Sequence, residues 1–169
     1  MSASTGGPEA PATSCSRGDE TAAPAIASIL ETLPEGLRAH AFIEVPAAAD
    51  ALALDLPEGV AATWLSRQTG EHGCELIPAV TGWLAGHLEV VAAAAAPSGR
   101  RQRLADVDVD RELLCERPET ADGGFYAWIA GESAVVKTLR RLLVRVYGID
   151  RGRVAFMGYW RHGRAEHTE

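Results

Sequence analysis

The fold is decided by residues 125–158, FYAWIAGESAVVKTLRRLLVRVYGIDRGRVAFMG. The apolar run at residues 125–130 predicts a buried strand, and residues 133–147 predict an amphipathic helix because apolar side chains recur every three or four positions. Gly148 is placed to end that helix, and residues 153–158 predict a second strand. A strand, a helix and a strand in this order imply a right-handed crossover between parallel strands.

The preceding part of the chain adds more alternating elements. Apolar residues three or four apart predict a helix over residues 21–33 and a second, long helix over residues 77–91. Short apolar runs bounded by Pro and Gly predict strands at residues 40–45 and 60–66. Residues 99–124 are charged and lack a clear period, so we interpret them as an insertion or a long loop. The pattern predicts an α/β fold, a Rossmann-like parallel sheet of four to five strands with helices on both faces.

Composition limits the classes of function. The formal net charge of −7 argues against a nucleic-acid-binding or acidic-membrane-binding protein. The three cysteines have no metal-ligand spacing, and we expect reduced thiols. Residues 1–17 lack the basic and apolar regions of a signal peptide, and no later stretch is long and apolar enough for a membrane span. We expect one cytoplasmic domain over residues 18–165, with a disordered or weakly ordered tail at 1–17 and a short tail at 166–169.

Three places follow predicted strands, and ligands of parallel α/β sheets bind beyond the carboxyl ends of the strands. They are Arg67, the segment Ala130-Gly131-Glu132 and the segment Gly158-Tyr159-Trp160-Arg161. Arg67 is either a bidentate ligand for the 2′-phosphate of NADP or a solvated loop residue.

The other two places also have two interpretations each. Gly131 allows a ring or a ribose to approach the backbone, or forms a tight turn in which Glu132 favours the helix N-terminus. Tyr159 and Trp160 offer stacking surface beside the positive charge of Arg161. Because two adjacent aromatic residues cannot both face the core, we expect at least one of them to be exposed.

The segment Gly18-Asp19-Glu20-Thr21 opens the first predicted helix. A helix start offers backbone N–H groups and a positive dipole end to a phosphate. This segment taken alone favours a simple helix cap, since it lacks a Gly-x-Gly-x-x-Gly motif and its two carboxylates repel anions. The histidines have no metal-ligand spacing, and the sequence reveals no Ser-His-Asp or Cys-His arrangement. We therefore assign neither a catalytic residue nor a metal site.

A family resemblance is carried by GDETAAPAI at 18–26, YAWIAGE at 126–132 and GYWRHG at 158–163. In this order, and with LRR at 139–141 between the last two, these segments resemble the carboxyl-terminal domain of the siderophore-interacting protein family. The family comprises flavin-dependent ferric-siderophore reductases of bacteria. The resemblance covers roughly residues 18–165, and the segments that carry it lie outside residues 68–122.

The resemblance implies a domain similar to the NADP-binding half of ferredoxin reductases, which presents NADP(H) or NAD(H) to FAD held by a separate barrel. It implies that the pyrophosphate path is bordered by Asp19, Glu20, Thr21 and Ala22. It also implies a nicotinamide end at Gly131 and Glu132, and a flavin side lined by Tyr159, Trp160 and Arg161. Arg67 would be the 2′-phosphate candidate. The implied partners are a FAD-binding barrel chain and, through it, a ferric siderophore.

The chain departs from the family pattern in two respects. The flavin-barrel motif is not found in these residues, and residues 12–17, Ala-Thr-Ser-Cys-Ser-Arg, are a poor strand where the family has an apolar one. Either this segment pairs despite its composition or neighbouring backbone groups stay unpaired. Two other functions therefore stand beside a reductase component: a non-catalytic remnant or interaction module that keeps the fold, and a regulator that senses NAD(P)H.

Overall fold

A mostly parallel sheet forms the centre of the computed structural model, which describes residues 13–97, 102, 104, 115–116 and 124–163. The described strands are Thr13–Asp19 (β1), Arg38–Val45 (β2), Val60–Ser66 (β3), Cys115–Glu116 (β4), Phe125–Glu132 (β5) and Val154–Trp160 (β6). They lie in the order β3-β2-β1-β5-β6-β4. All neighbours pair in parallel except β4, which runs antiparallel to β6. The predicted parallel sheet is therefore confirmed.

Helices cover both faces of the sheet. They are Ala23–Glu31 (α1), Leu76–Gly86 (α2), Leu88–Ala94 (α3) and Ser133–Arg141 (α4), the last continued by a π-helical segment at Leu142–Val146. On one face Ile26 of α1 packs with Ile43 of β2, and on the other Leu84 of α2 and Leu139 of α4 pack with Phe42. Phe42 and Ile43 reach opposite faces because side chains alternate along a strand.

The central strand β1 corrects the sequence-based boundary. It begins at Thr13, so the assignment of residues 13–17 to a tail is wrong, whereas residues 1–12 and 164–169 lie outside the described residues. β1 pairs with β2 on one side and with β5 on the other. Its polar composition is overridden because two flanking strands satisfy its backbone groups and bury its side chains.

Arg17 is the exceptional residue of β1, since its side chain is fully buried. Its guanidinium lies over the ring of Trp83 on α2, 5.5 Å from the ring centroid. Within the described part of the chain, none of its three side-chain nitrogens has a hydrogen-bond partner. Burial lowers the pKa of Arg17, and the neighbouring Cys15 opposes that shift. A buried cation without a hydrogen-bonding partner destabilises the fold.

The predicted long helix over residues 77–91 is wrong, because the chain breaks at His87 into α2 and α3. The backbone of His87 leaves the helical region, and its ring Nδ1 lies 2.8 Å from the carbonyl oxygen of Trp83. The bend of 89° carries Val91 and Ala94 into the core. Among the described residues no single helix has the length and apolar character of a membrane span. The bent pair α2 and α3 has that length and composition only when its two helices are taken together.

The predicted loop at residues 99–124 lies largely outside the described residues. Within it, Cys115–Glu116 forms the short edge strand β4. Gln102 is also described, and its side chain donates to the carbonyl oxygen of Ile149 and accepts from the backbone N–H of Arg151. These contacts tie the segment to the turn before β6.

Candidate functional site

The sheet has a switch point between β1 and β5. The chain proceeds outward from β1 through β2 to β3, forms the short edge strand β4 at the far side of the sheet, and then enters β5 beside β1 and proceeds in the opposite direction to β6. In open α/β sheets, ligands bind in the crevice beyond the carboxyl ends of the strands at such a point. Gly18 of β1 lies beside Ala130 of β5 there, and Asp19 and Gly131 come next. The fold thus brings together two segments that the sequence analysis had selected separately.

Glycine is required at both strand ends of the switch point. A Cβ on Gly18 would lie 2.6 Å from the carbonyl oxygen of Ala130 and 2.7 Å from the Cβ of Ala22. Gly131 has φ of +142°, and a Cβ there would lie 2.5 Å from Oδ2 of Asp19. Neither position has room for a side chain, so the two strand ends and the start of α1 approach closely.

The carboxylate of Asp19 joins three strand ends. Its Oδ2 accepts the backbone N–H of Glu132 at 2.7 Å and the indole N–H of Trp160 at 3.0 Å. Its Oδ1 accepts the backbone N–H of Thr21 at 3.0 Å and also that residue's hydroxyl. The residue is only 4% exposed. Asp19 therefore fixes the ends of β1, β5 and β6 relative to one another.

Two further carboxylates cap helices at this edge. Glu132, 7% exposed, accepts the backbone N–H of Val135 at the start of α4. Glu44 at the end of β2 is buried and accepts three backbone N–H groups at 2.7–3.0 Å where α2 begins, that of Leu76 among them. At α1 the capping position is Ala22, whose side chain makes no such bond. Glu44 was not among the predicted site residues, although an acidic residue near the end of an apolar strand was a visible signal.

Arg67 and Glu20 form a bidentate ion pair. Nη1 of Arg67 donates to Oε2 of Glu20 at 2.7 Å, and Nη2 donates to Oε1 at 2.5 Å. Partial burial pushes the pKa of Glu20 upward, but the hydrogen bond from Arg67 and the charges of Arg67 and His72 outweigh it and leave that pKa lowered. The hydrogen bond to Glu20 raises the pKa of Arg67. Both groups are therefore ionised at neutral pH.

A cleft of about 530 Å³ opens between the loop after β3 and the start of α4. Its lining includes Glu71, His72, Glu132, Thr138 and His162. The ring of His72 meets that of Trp160 edge-on at 4.7 Å between centroids, and His162 lies 5.7 Å from His72. The two histidines were not predicted as site residues, because they are far apart in the chain and lack a motif. No group of His, Cys, Asp or Glu suited to a metal ion occurs among the residues that the structure describes.

The end of β6 completes this edge of the sheet. Tyr159 is 41% exposed, whereas Trp160 turns its indole toward Asp19. The expectation that at least one of the two aromatics is exposed is confirmed. Arg161 directly follows the strand. All of the sequence-predicted site residues thus lie at the carboxyl edge of β1, β3, β5 and β6, or at the start of α1.

The same residues carry a match to known proteins. A family model described as siderophore-interacting protein matches residues 14–163. The chain belongs to the siderophore-interacting protein family. The match begins within β1, which agrees with the ordered start of the sheet at Thr13.

Two curated relatives are similar to most of this chain. A Mycobacterium tuberculosis protein of uncharacterized function is 31% identical over 163 residues, covering 88% of this chain and 44% of the relative. The ferric vibriobactin reductase of Vibrio cholerae is 26% identical over 149 residues, covering 88% of this chain and 43% of the reductase. The chain thus spans less than half the length of these relatives.

Solved structures of siderophore proteins share the fold. A siderophore utilization protein from T. fusca superposes with a TM-score of 0.60 at 29% identity, over 90% of this chain and 46% of that one. The siderophore-interacting protein SipS from Aeromonas hydrophila gives a TM-score of 0.57 at 27% identity, over 92% of this chain and 54% of that one.

Proposed function

We propose that this chain supplies the NAD(P)H-binding domain of a cytoplasmic ferric-siderophore reductase. The likeness to a ferric vibriobactin reductase supports the reaction class. The aligned relatives are more than twice as long as the matched region, which leaves room for a FAD-binding barrel outside these 169 residues. When bound, NAD(P)H would supply a hydride to that flavin, which would release the electrons singly to Fe(III) of the siderophore.

The observation that carries the proposal is the switch point between β1 and β5. A crevice there is the position where sheets of this topology bind dinucleotides. The capping residue of α1 makes no side-chain cap, so the backbone N–H groups of Ala23 and Ala25 are suited to a pyrophosphate, whereas Pro24 between them has no N–H. Gly18 and Gly131 let the ends of β1 and β5 pack closely against each other and against the start of α1, which brings this helix start to the switch point. These features fit a nicotinamide dinucleotide.

The remaining residues would act by positioning. Asp19 binds the backbone of β5 and the indole of Trp160, and so holds the edge of the site rigid before a ligand arrives. Tyr159 would face the flavin with its exposed ring, while Trp160 keeps its indole on Asp19. No residue of the chain takes part in a proton transfer in this proposal, because hydride transfer needs only orientation of the two rings.

Calorimetric titration of the full chain with NADPH and NADH tests the proposal, with and without a FAD-binding barrel protein. We expect saturable binding of at least one nucleotide. Thr21→Glu adds a carboxylate at the exposed start of α1 and should weaken binding about tenfold. Thr32→Glu makes the same change at the other end of α1 and should leave binding unchanged. Undetectable binding of both nucleotides under both conditions would refute the proposal.

A non-catalytic interaction module is the second candidate, and one observation favours it. Glu44 and Glu132 already occupy the N-termini of α2 and α4, so two of the helix starts at this edge are satisfied by the protein itself. A module of this kind would keep the fold and bind no nucleotide. The test mixes the chain with a FAD-loaded barrel protein, adds NAD(P)H and follows the flavin absorbance. If the absorbance falls, and falls more slowly with Thr21→Glu, this candidate is excluded.

A further inference from the structure

The guanidinium of Arg67 is committed to a carboxylate within the protein. Both terminal nitrogens donate to the two oxygens of Glu20, in the fork geometry that also suits a phosphate. The Arg67 side chain is 8% exposed and that of Glu20 is 32% exposed. A phosphate that used the same two donors would have to displace Glu20.

This ion pair affects recognition of the 2′-phosphate, which is the group that distinguishes NADPH from NADH. In sheets of this topology an acidic residue near the end of the second strand binds the ribose 2′-hydroxyl of NAD, and a nearby arginine accommodates the 2′-phosphate of NADP. Here the end of β2 carries Glu44, whose carboxylate is buried in the cap of α2. The loop that follows β3 is next to it and begins with Arg67. Arg67 is therefore the cation placed for a 2′-phosphate, and Glu20 holds it.

The adjacent cleft carries an acidic lining. Glu71 and Glu132 lie among its lining residues together with two histidines, and neither Lys nor Arg occurs among the described residues that line it. Glu71 is exposed, so its carboxylate is available as an acceptor for sugar hydroxyls. The negative charges of Glu71 and Glu132 repel a dianionic phosphate. The exposed carboxylate of Glu71 can instead accept hydrogen bonds from a ribose diol.

We infer that the nucleotide site of this chain selects NADH over NADPH, because Glu20 withholds Arg67 from the 2′-phosphate. The inference rests on the proposed function and names its cofactor. In the ion pair, Glu20 acts as the specificity-determining residue and Arg67 as the cation that it masks. Removing the charge of Glu20 would then expose a phosphate site already formed by the fold.

Calorimetric titration of the full chain with NADH and with NADPH provides the test. We expect NADH to bind about tenfold or more tightly than NADPH, equivalent to about 1.4 kcal/mol. In Glu20→Gln, Arg67 loses its anionic partner and keeps at most one neutral acceptor there, so NADPH should bind about tenfold more tightly than to the wild type, while NADH changes less than about twofold. Glu75→Gln removes one negative charge at a nearby exposed position that does not contact Arg67, and serves as the matched control.

Each result has a separate meaning. Equal or tighter binding of NADPH by the wild type would overturn the inference, while leaving nucleotide binding intact. An unchanged NADPH affinity in Glu20→Gln, or an equal gain in Glu75→Gln, would also overturn it. If neither nucleotide binds to the wild type, with or without a FAD-binding barrel protein, the proposed function fails and the inference fails with it. The wild-type comparison needs no variant, so misfolding of Glu20→Gln would not prevent a decision.

Discussion

Trp160 donates its indole N–H to Oδ2 of Asp19 at 3.0 Å, across a separation of 141 residues. The bond ties the end of β6 to the end of the central strand β1. The same oxygen accepts the backbone N–H of Glu132, so one buried carboxylate sets the spacing of three strand ends. Rigid placement of these ends is what a nucleotide site at this edge requires.

Loss of this indole bond should destabilise the fold. Trp160→Phe removes one of the donors to a buried carboxylate, and we expect the free energy of unfolding to fall by about 1.5–3 kcal/mol. Urea denaturation measures the change. Trp64→Phe makes the same substitution on β3, away from Asp19, and is the control. An equal loss in the two variants would show that the bond to Asp19 adds nothing beyond packing.

Substitution of Gly131 should be costly. Gly131→Ala places a Cβ against the Asp19 carboxylate at a φ of +142°, and we expect a loss of about 2 kcal/mol or more in the free energy of unfolding. Gly82→Ala is the matched control, because Gly82 is exposed within α2 and has open space around it. That variant should gain about 0.5–1 kcal/mol. Equal stabilities of the two variants in urea would contradict the close approach.

Replacing Arg17 with an apolar residue should stabilise the protein. Arg17→Met removes a buried cation whose nitrogens have no hydrogen-bond partner among the described residues, and keeps a flexible chain against Trp83. We expect a gain of about 1–3 kcal/mol in the free energy of unfolding, since apolar substitution of buried charges is often favourable. Arg38→Met, at an exposed position of β2, should change it by less than about 0.5 kcal/mol. A destabilised Arg17→Met would show that the contact with Trp83 outweighs desolvation.

His40 should make stability depend on pH. Burial, followed by the positive charges of Arg17 and His87, lowers the pKa of His40 below its ordinary value of about 6.5. The unfolded chain therefore takes up the proton first, so the contribution of neutral His40 is complete above about pH 6.5 and is lost as the pH falls through the folded pKa. We expect the thermal midpoint to drop between about pH 7.5 and 5.5, and to drop less in His40→Gln. Identical drops would contradict this assignment.

Local periodicity explains which elements were predictable. The strand, helix and strand over residues 125–158 are confirmed because apolar spacing reports burial of one face along a continuous segment. The break at His87 was missed because the apolar residues on either side keep helical spacing through it. The pairing of residues 12–17 stayed one of two alternatives for the opposite reason. These residues are poor strand formers, and their conformation depends on β2 and β5, which lie elsewhere in the chain.

The amino-acid sequence by itself determined the layered α/β fold and the sheet edge where Gly131 and Trp160 lie, because alternation of strands and helices dictates parallel pairing. Only the tertiary structure decided which charged groups at that edge are already bound to other groups of the protein. It placed Glu20 against Arg67, Asp19 against Trp160 and Glu44 beneath the start of α2. Sequence patterns do not report such pairs, because a charge is neutralised by whatever the fold brings within a few ångströms, at any distance along the chain.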